Sequence, residues 1–363
     1  MEKVHLNLKK QIDNSYDILI DNGILNRIPL DLKKNELGNK YVIITDSNTK
    51  KLFGETFLRL MKKKGINSYL LSIESGEKNK NLLVFKKLMR KIVSFGLDRK
   101  SAIISLGGGV VGDISGFIAA TYMRGINYVH IPTSLLAMVD SSIGGKVAID
   151  LPEGKNLVGA FYQPKRVYID ICLLGPLPIK EMRNGLTEII KHALIKDKKL
   201  FDFIEKNLDR ILNKDKNILI RLIKRSCEIK ADIVMKDEKE KGFRKVLNYG
   251  HTIGHALETL THYKKYSHGE AVAIGMLVEG LISNKIGSLS KKELHRQNNL
   301  LFRAGLVKKL PNIDIREFIE QLKKDKKNVG REIEFVLLEK IGKAKFGIKV
   351  PKKIIWGALK ESR

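Results

Sequence analysis

Five residues in the second half of the chain are candidates, by type and setting, to ligate a divalent metal: Glu188, His192, His251, His255 and His268. His251 and His255, in LNYGHTIGHALE (Leu247 to Glu258), are four apart, a spacing that aims both imidazoles from one face of a helix. In TEIIKHALI, Thr187 to Ile195, Glu188, Lys191 and His192 fall at i, i+3 and i+4. That face suits a carboxylate with an imidazole around a metal, and it equally suits a solvated ion-pair surface. His268 stands where SHGEAVAIG begins a helical pattern, a place for a ligand or for an ordinary surface residue. A catalytic zinc takes three protein ligands and keeps a position open for substrate, so the five exceed one site's need. Type and spacing alone leave the choice among them open.

Other stretches carry chemistry of a different kind. GGGVVGD, Gly107 to Asp113, follows an apolar run and opens a helical pattern, a context in which backbone amides approach a pyrophosphate at a helix N-terminus. Its spacing is not GxGxxG, and a tight strand-to-helix turn would use the same glycines. TDSN (Thr45 to Asn48) ends a strand-like run where an acid can accept from a ribose, or form an Asx turn. In SGEKNK, Ser75 to Lys80, Glu77 and Lys80 can meet a cofactor or cap the next helix. The span Arg124 to Pro164 gathers Asp140, Ser141, Ser142, the pair Gly144 and Gly145, Lys146, Lys155 and Asn156. Such a density of hydrogen-bonding groups is costly to bury without a ligand and points to a polyhydroxy, phosphorylated one.

The elements that must position these residues divide the chain in two. Up to residue 176, β-rich runs alternate with helical patterns: VHLNL, YDILI, YVIITD, SAIISL, YVHIPTS and RVYIDI read as strands, and LLVFKKLMRKIVSFG as a helix ending at Gly96. This predicts an α/β domain over 1–176 with a mainly parallel sheet. From 177 to 363 the apolar residues fall at helical spacing, which predicts an α-helical domain with a small hairpin in IEFVLLEKIGKAKFGIKV. At 363 residues and 43% hydrophobic content the chain is large enough for two domains sharing a cleft.

Composition narrows the function classes. No apolar run is long enough to span a membrane, and Cys172 and Cys227 lie far apart without CxxC spacing, which suits a reducing cytoplasm. The net charge of +28 is spread over separate clusters, among them Lys62 to Lys64, Lys196 to Lys199, Lys236 to Lys245 and Lys323 to Lys327. Without one basic face or interleaved aromatics, this pattern argues against a specific nucleic-acid partner.

Taken in order, GGGVVGD, PTSLLAMVDSSIGGK, GKNLVGAFYQP, GLTEIIKHALI, DEKEKGFRKVLNYGHTIGHALE and SHGEAVAIGM resemble the 3-dehydroquinate synthase branch of the sugar phosphate cyclase family, from Thr45 to about Gly275. The resemblance implies an N-terminal Rossmann-like NAD-binding domain, a C-terminal α-helical domain carrying zinc or cobalt, and a homodimer. It implies Glu188, His251 and His268 as the metal ligands, with His192 unused and His255 near the substrate phosphate. It places Lys146, Asn156 and Lys343 at that phosphate as well, with Arg124 reaching across a dimer interface. Lys230 and Arg244 match positions that hold a substrate carboxylate, and Asp140, Lys191 and Asn248 match those around ring hydroxyls. For NAD it implies Asp46, Asn48, Glu77, Lys80, Gly108, Gly109, Asp113, Thr133 and Ser134, with Lys146 and Lys155 beside them. The implied reaction converts 3-deoxy-D-arabino-heptulosonate 7-phosphate to 3-dehydroquinate and phosphate, with NAD reduced and reoxidised in each turnover.

Three alternatives make different demands on the same residues. Cyclases of neutral sugar phosphates have no carboxylate for Lys230 and Arg244 to hold. A polyol dehydrogenase would release NADH and has no phosphate for Lys146, Lys155 and Asn156. A basic nucleic-acid-binding protein would use the charge and none of the site. Ser75 departs from the proline that such enzymes often carry before Gly-Glu, and the charge exceeds what the reaction requires beyond steering an anionic substrate.

Overall fold

The computed structural model describes residues 13–306, 310–323 and 333–362; the strand expected in VHLNL and part of the Lys323 to Lys327 cluster lie outside them. The first half supplies β1 (Asp17–Asp21), β2 (Tyr41–Asp46), β3 (Ser68–Ile73), β4 (Ala102–Gly107), β5 (Asn127–Pro132), β6 (Lys146–Leu151), β7 (Gly154–Phe161) and β8 (Arg166–Asp170). Six of these form one sheet in the order β1-β8-β5-β4-β2-β3, and each neighbouring pair runs parallel. β6 and β7 form a separate antiparallel hairpin.

Strand β2 shows why its sequence reads as a continuous apolar run rather than an alternating one. Tyr41 to Thr45 are all buried because helices cover both faces of the sheet. Its side chains still alternate: Ile43 joins one core with Phe57 and Met61, whereas Val42 and Ile44 join another with Val111, Ile114 and Ile118. The helix Glu55–Lys63, after β2, therefore lies on one face and the helix Gly109–Thr121, after β4, on the other. β2 and β4 are neighbours, so their following loops part in opposite directions and leave a crevice at the carboxyl ends of the strands.

The second half is mainly helical, with the site carried by Ile179–Lys196, Lys216–Lys236, His251–Leu260 and His268–Lys285. The expected late hairpin is present as β9 (Glu334–Lys340) and β10 (Lys343–Lys349), paired antiparallel. Leu186, Ile190, Leu222 and Ile223 from these helices pack into the same core as Ile43, Ile104 and Val129 from the sheet. The helical half thus sits directly on one sheet face, and the crevice opens beside that seam.

Candidate active site

Three helices bring Glu188, His251 and His268 together, with one ligating atom from each within 4.8 Å of the others. His251 Nε2 lies 3.7 Å and His268 Nε2 3.6 Å from the same Glu188 oxygen. The other ring nitrogens face acceptors: His251 Nδ1 meets the Tyr249 carbonyl at 3.2 Å, and His268 Nδ1 the Glu258 carboxylate at 3.5 Å. These contacts favour the tautomer whose Nε2 carries the lone pair that a metal would take. Glu188 is fully buried and its carboxylate accepts no well-formed hydrogen bond, although the Lys191 ammonium makes an ion pair with it. Burial pushes the His268 ring down, but Glu188 and Glu258 outweigh it and push the ring up to about 10. Without an ion, the raised His268 ring itself holds a proton toward Glu188, and a zinc-type ion, which this donor set fits, would take that proton's place.

His192 turns elsewhere, its Nδ1 bonded to Ser226 Oγ at 2.8 Å. His192, Asp140 and Glu188 also lie close enough to share an ion, but Lys230 and Lys191 already pair with the two carboxylates and oppose a further cation. His255 is one turn beyond His251, their ring centroids 5.3 Å apart, and stands outside the ligating trio.

Next to the trio, Lys230 donates to the Asp140 carbonyl at 2.6 Å and pairs with its carboxylate. Burial pushes the Asp140 carboxyl up, and Lys230 more than offsets this, leaving it below the usual range. Arg244 is buried, its guanidinium held by the Gly144 carbonyl at 3.2 and 3.3 Å. An added methyl at Gly144 would sit 2.4 Å from that guanidinium, so glycine is required for the approach. Asn248 donates to Glu240 at 3.1 Å, and Lys146 pairs with the same Glu240.

A cleft of about 740 Å3 joins this centre to the sheet edge. Asp46, Asn48 and Glu77 line it from the loops after β2 and β3. Gly108, Gly109, Thr133 and Ser134 line it from the loops after β4 and β5, while Lys155, Glu258 and His268 close the other side. Asp46 is also an N-cap, accepting from the amides of Asn48 and Thr49 at 2.9 and 3.0 Å. The glycine run divides its labour: Gly108 and Gly109 face the cleft, whereas a methyl at Gly112 would meet His130 at 2.5 Å.

Lys80 and Asp113, like Lys146, are placed differently from the cofactor candidates that line the cleft. They are absent from the cleft lining, and Lys80 is a buried cation 2.9, 3.1 and 3.6 Å from Glu77, Asp113 and Asp150. It also donates to Asn156 Oδ1 at 2.8 Å, which leaves the Asn156 amide donors to face outward. Asn156 has a left-handed φ of 55°, and its amide N–H is fixed by Asp150 at 2.8 Å. Burial pushes Asp113 up to about 6 despite Lys80. The resemblance implied both residues for NAD; in the structure they join three segments, those of Glu77, Asp113 and Asp150.

Two further residues stand away from the centre. Lys343, at the start of β10, pairs with Glu339 at 2.8 Å rather than with a residue of the cleft. Arg124 is exposed in a left-handed turn with Met123, at φ 68° and 49°, and is not among the cleft residues. Glu258 and Glu240 were not singled out from the sequence. Glu258 had a usable signal, since it lies seven residues after His251 and hence on the same helical face.

Comparison with known proteins supplies the remaining information. Residues 70–184 match the model of the 3-dehydroquinate synthase N-terminal region, and residues 185–328 that of the C-terminal region. The chain is 45% identical over 351 residues to 3-dehydroquinate synthase of Thermodesulfovibrio yellowstonii, covering 96% of this chain and 97% of that protein. It is 47% identical over 343 residues to 3-dehydroquinate synthase of Caldanaerobacter subterraneus subsp. tengcongensis, covering 94% and 96%. Among solved structures, 2-epi-5-epi-valiolone synthase from Streptomyces hygroscopicus subsp. jinggangensis, with NAD+ and Zn2+ bound, superposes with a TM-score of 0.90 at 26% identity, covering 99% of both chains. A 2-deoxy-scyllo-inosose synthase complexed with carbaglucose-6-phosphate, NAD+ and Co2+ gives 0.86 at 26% identity, covering 95% of this chain and 96% of that one.

Proposed function

We propose residue roles for this chain from the premise that it belongs to the 3-dehydroquinate synthase family. The family's reaction converts 3-deoxy-D-arabino-heptulosonate 7-phosphate to 3-dehydroquinate and phosphate. The observation that carries the assignment of roles is the Glu188, His251 and His268 trio, whose His268 opens onto the same cleft as Gly108 and Gly109. Bound there, the metal supplies Lewis acidity to the hydroxyl being oxidised and NAD supplies reversible acceptance of a hydride.

The chain's own residues bind and orient. Asp140, kept ionised by Lys230, accepts from a ring hydroxyl, and Lys191 and Asn248 hold its neighbours. Lys230 and the rigidly held Arg244 grip the substrate carboxylate, a group that cyclases of neutral sugar phosphates do not meet. Lys146, Lys155, Asn156 and His255 receive the phosphate on the opposite side. Gly108 and Gly109, at the start of the helix Gly109–Thr121, let backbone amides approach the NAD pyrophosphate, and Asp46 accepts from its ribose. Arg124, projecting from its left-handed turn, serves the phosphate of a partner's site in a homodimer. Location in the cytoplasm accords with the two free cysteines and with the absence of a membrane-length apolar helix among the described residues.

The test is to incubate the protein with the heptulosonate phosphate, NAD and zinc or cobalt while following phosphate and NADH together. Stoichiometric phosphate and dehydroquinate without accumulating NADH is expected, and chelation abolishes both. Sustained NADH production would overturn the cyclase assignment.

A further inference from the structure

Glu279 is a fully buried acid that none of the roles above employs. It lies on the helix His268–Lys285, and its carboxylate is directed at the start of another helix, His251–Leu260. Gly250 N donates to Glu279 Oε2 at 2.7 Å and Ile253 N to Oε1 at 3.4 Å, with the Thr252 amide also among its donors. The first amides of a helix have no partner within it, and the residue before the first turn normally supplies one from its side chain. Gly250 occupies that position and has no side chain.

The glycine cannot be exchanged for a self-capping serine or aspartate. Its φ is 80°, and a methyl there would lie 2.7 Å from both the Val272 carbonyl and Met276 Cγ. The opposing Gly275 is equally constrained, since its methyl would lie 1.8 Å from the Gly250 oxygen. The two helices therefore meet backbone to backbone one residue before His251, and the cap comes from Glu279, one turn after Gly275 on the same face.

We infer that Glu279 is a positioning residue for the metal site: it caps the His251 helix from the neighbouring helix and so fixes where the His251 imidazole points. The geometry is reciprocal. At the other end of the pair Glu258, on the His251 helix, faces His268 Nδ1. Each helix thus lends a carboxylate that sets the histidine of the other. Tyr249 completes the brace: its carbonyl accepts from His251 Nδ1, and its hydroxyl donates to the buried Gln297 at 2.7 Å. This inference rests on the assignment of His251 as a ligand.

The experiment measures Co2+ affinity of the metal-free full chain by competition with a chromophoric chelator, in the parent, Glu279→Leu, Glu279→Gln and His251→Ala. Apoprotein melting and NAD+ affinity are recorded in parallel. Partners beyond the ligands typically set metal affinity by about 10–100-fold, so Glu279→Leu is expected to lose at least about tenfold. Glu279→Gln, which keeps one acceptor for Gly250, falls between it and the parent, and NAD+ affinity stays constant. If both variants hold Co2+ within about twofold of the parent while the apoprotein melts earlier, Glu279 is structural only and the inference is overturned. Should Glu279→Leu not fold, Glu279→Gln decides by the same criterion. If His251→Ala retains parental affinity, the ligand assignment fails first and takes the inference with it.

Discussion

Lys80 and Glu188 are both nearly inaccessible charges, 3% and 0% exposed, yet their surroundings differ in kind. Lys80 is matched: carboxylates of Glu77, Asp113 and Asp150 and the Asn156 amide oxygen surround one ammonium. Glu188 is under-matched, with one lysine, two imidazole nitrogens at a distance and no well-formed hydrogen bond. A buried charge whose partners are already in place is finished structure. One left short of partners is a place prepared for something that arrives later.

The largest effect should come from removing the under-matched charge. Glu188→Ala is expected to lose metal affinity by more than about a hundredfold, beyond what outer partners cost, and turnover with it. Chelator competition and phosphate release measure the two losses. Removing the matched charge should act on stability and leave the metal in place. Lys80→Met exposes three carboxylates to one another, a loss of up to about 3 kcal/mol by urea unfolding, reduced because Glu77 is partly solvated. It should also raise the KM for the heptulosonate phosphate more than the Kd for NAD, because Asn156 loses its orienting partner. The reverse split would make Lys80 a direct NAD contact.

His130 represents a third solution, in which a buried titratable group stays neutral. Burial pushes its ring down to about 3, with Nε2 unpartnered in the core between β5 and the helix Gly109–Thr121. The unfolded chain binds a proton near pH 6.5 that the folded chain refuses until about pH 3. Its contribution is therefore fully present above the unfolded value and is lost as pH falls through that window. Denaturation midpoints between pH 7 and 4 should fall more gently in His130→Gln than in the parent. The smallest effect on the site is expected from His192→Ala: Co2+ affinity within about threefold of the parent, and a stability loss of about 1–3 kcal/mol from the orphaned Ser226 hydroxyl. Loss of metal in this variant, with retention in Glu188→Ala, would reverse the ligand assignment.

The fold was most legible where burial alone shapes the sequence. YVIITD coincides with β2, and LLVFKKLMRKIVS with the helix Leu82–Ser94, because each needs an apolar pattern of its own period. β3 and the β6–β7 hairpin were harder to see. SYLLSI is only partly covered at the sheet edge, and β7 is largely exposed, so neither carries a clear alternation. The hairpin is tied in by Val147 and Ile149 of β6, buried with Ile114 and Ile118, and by polar contacts such as Asp150 N donating to the Lys80 carbonyl at 2.7 Å. In the site, spacing exposed the candidates but could not choose among them. His251 and His255 share a helix face, whereas the ligating trio is assembled from three different helices, one of them about sixty residues before the other two, and only the resemblance selected it. Glu279 gave no signal at all, since an acid within a mostly apolar helix reads as its solvent side.

The core that runs unbroken from Ile43 in β2 to Leu222 in the helical half has a further consequence for cooperativity. Neither half owns that apolar face, so separating them would expose it to water at a cost that rises with its area. The chain should therefore melt in a single calorimetric transition, and the two halves should protect each other's amides from hydrogen exchange. Low-energy opening is then left to the cleft side of the seam, where ligands must enter and leave.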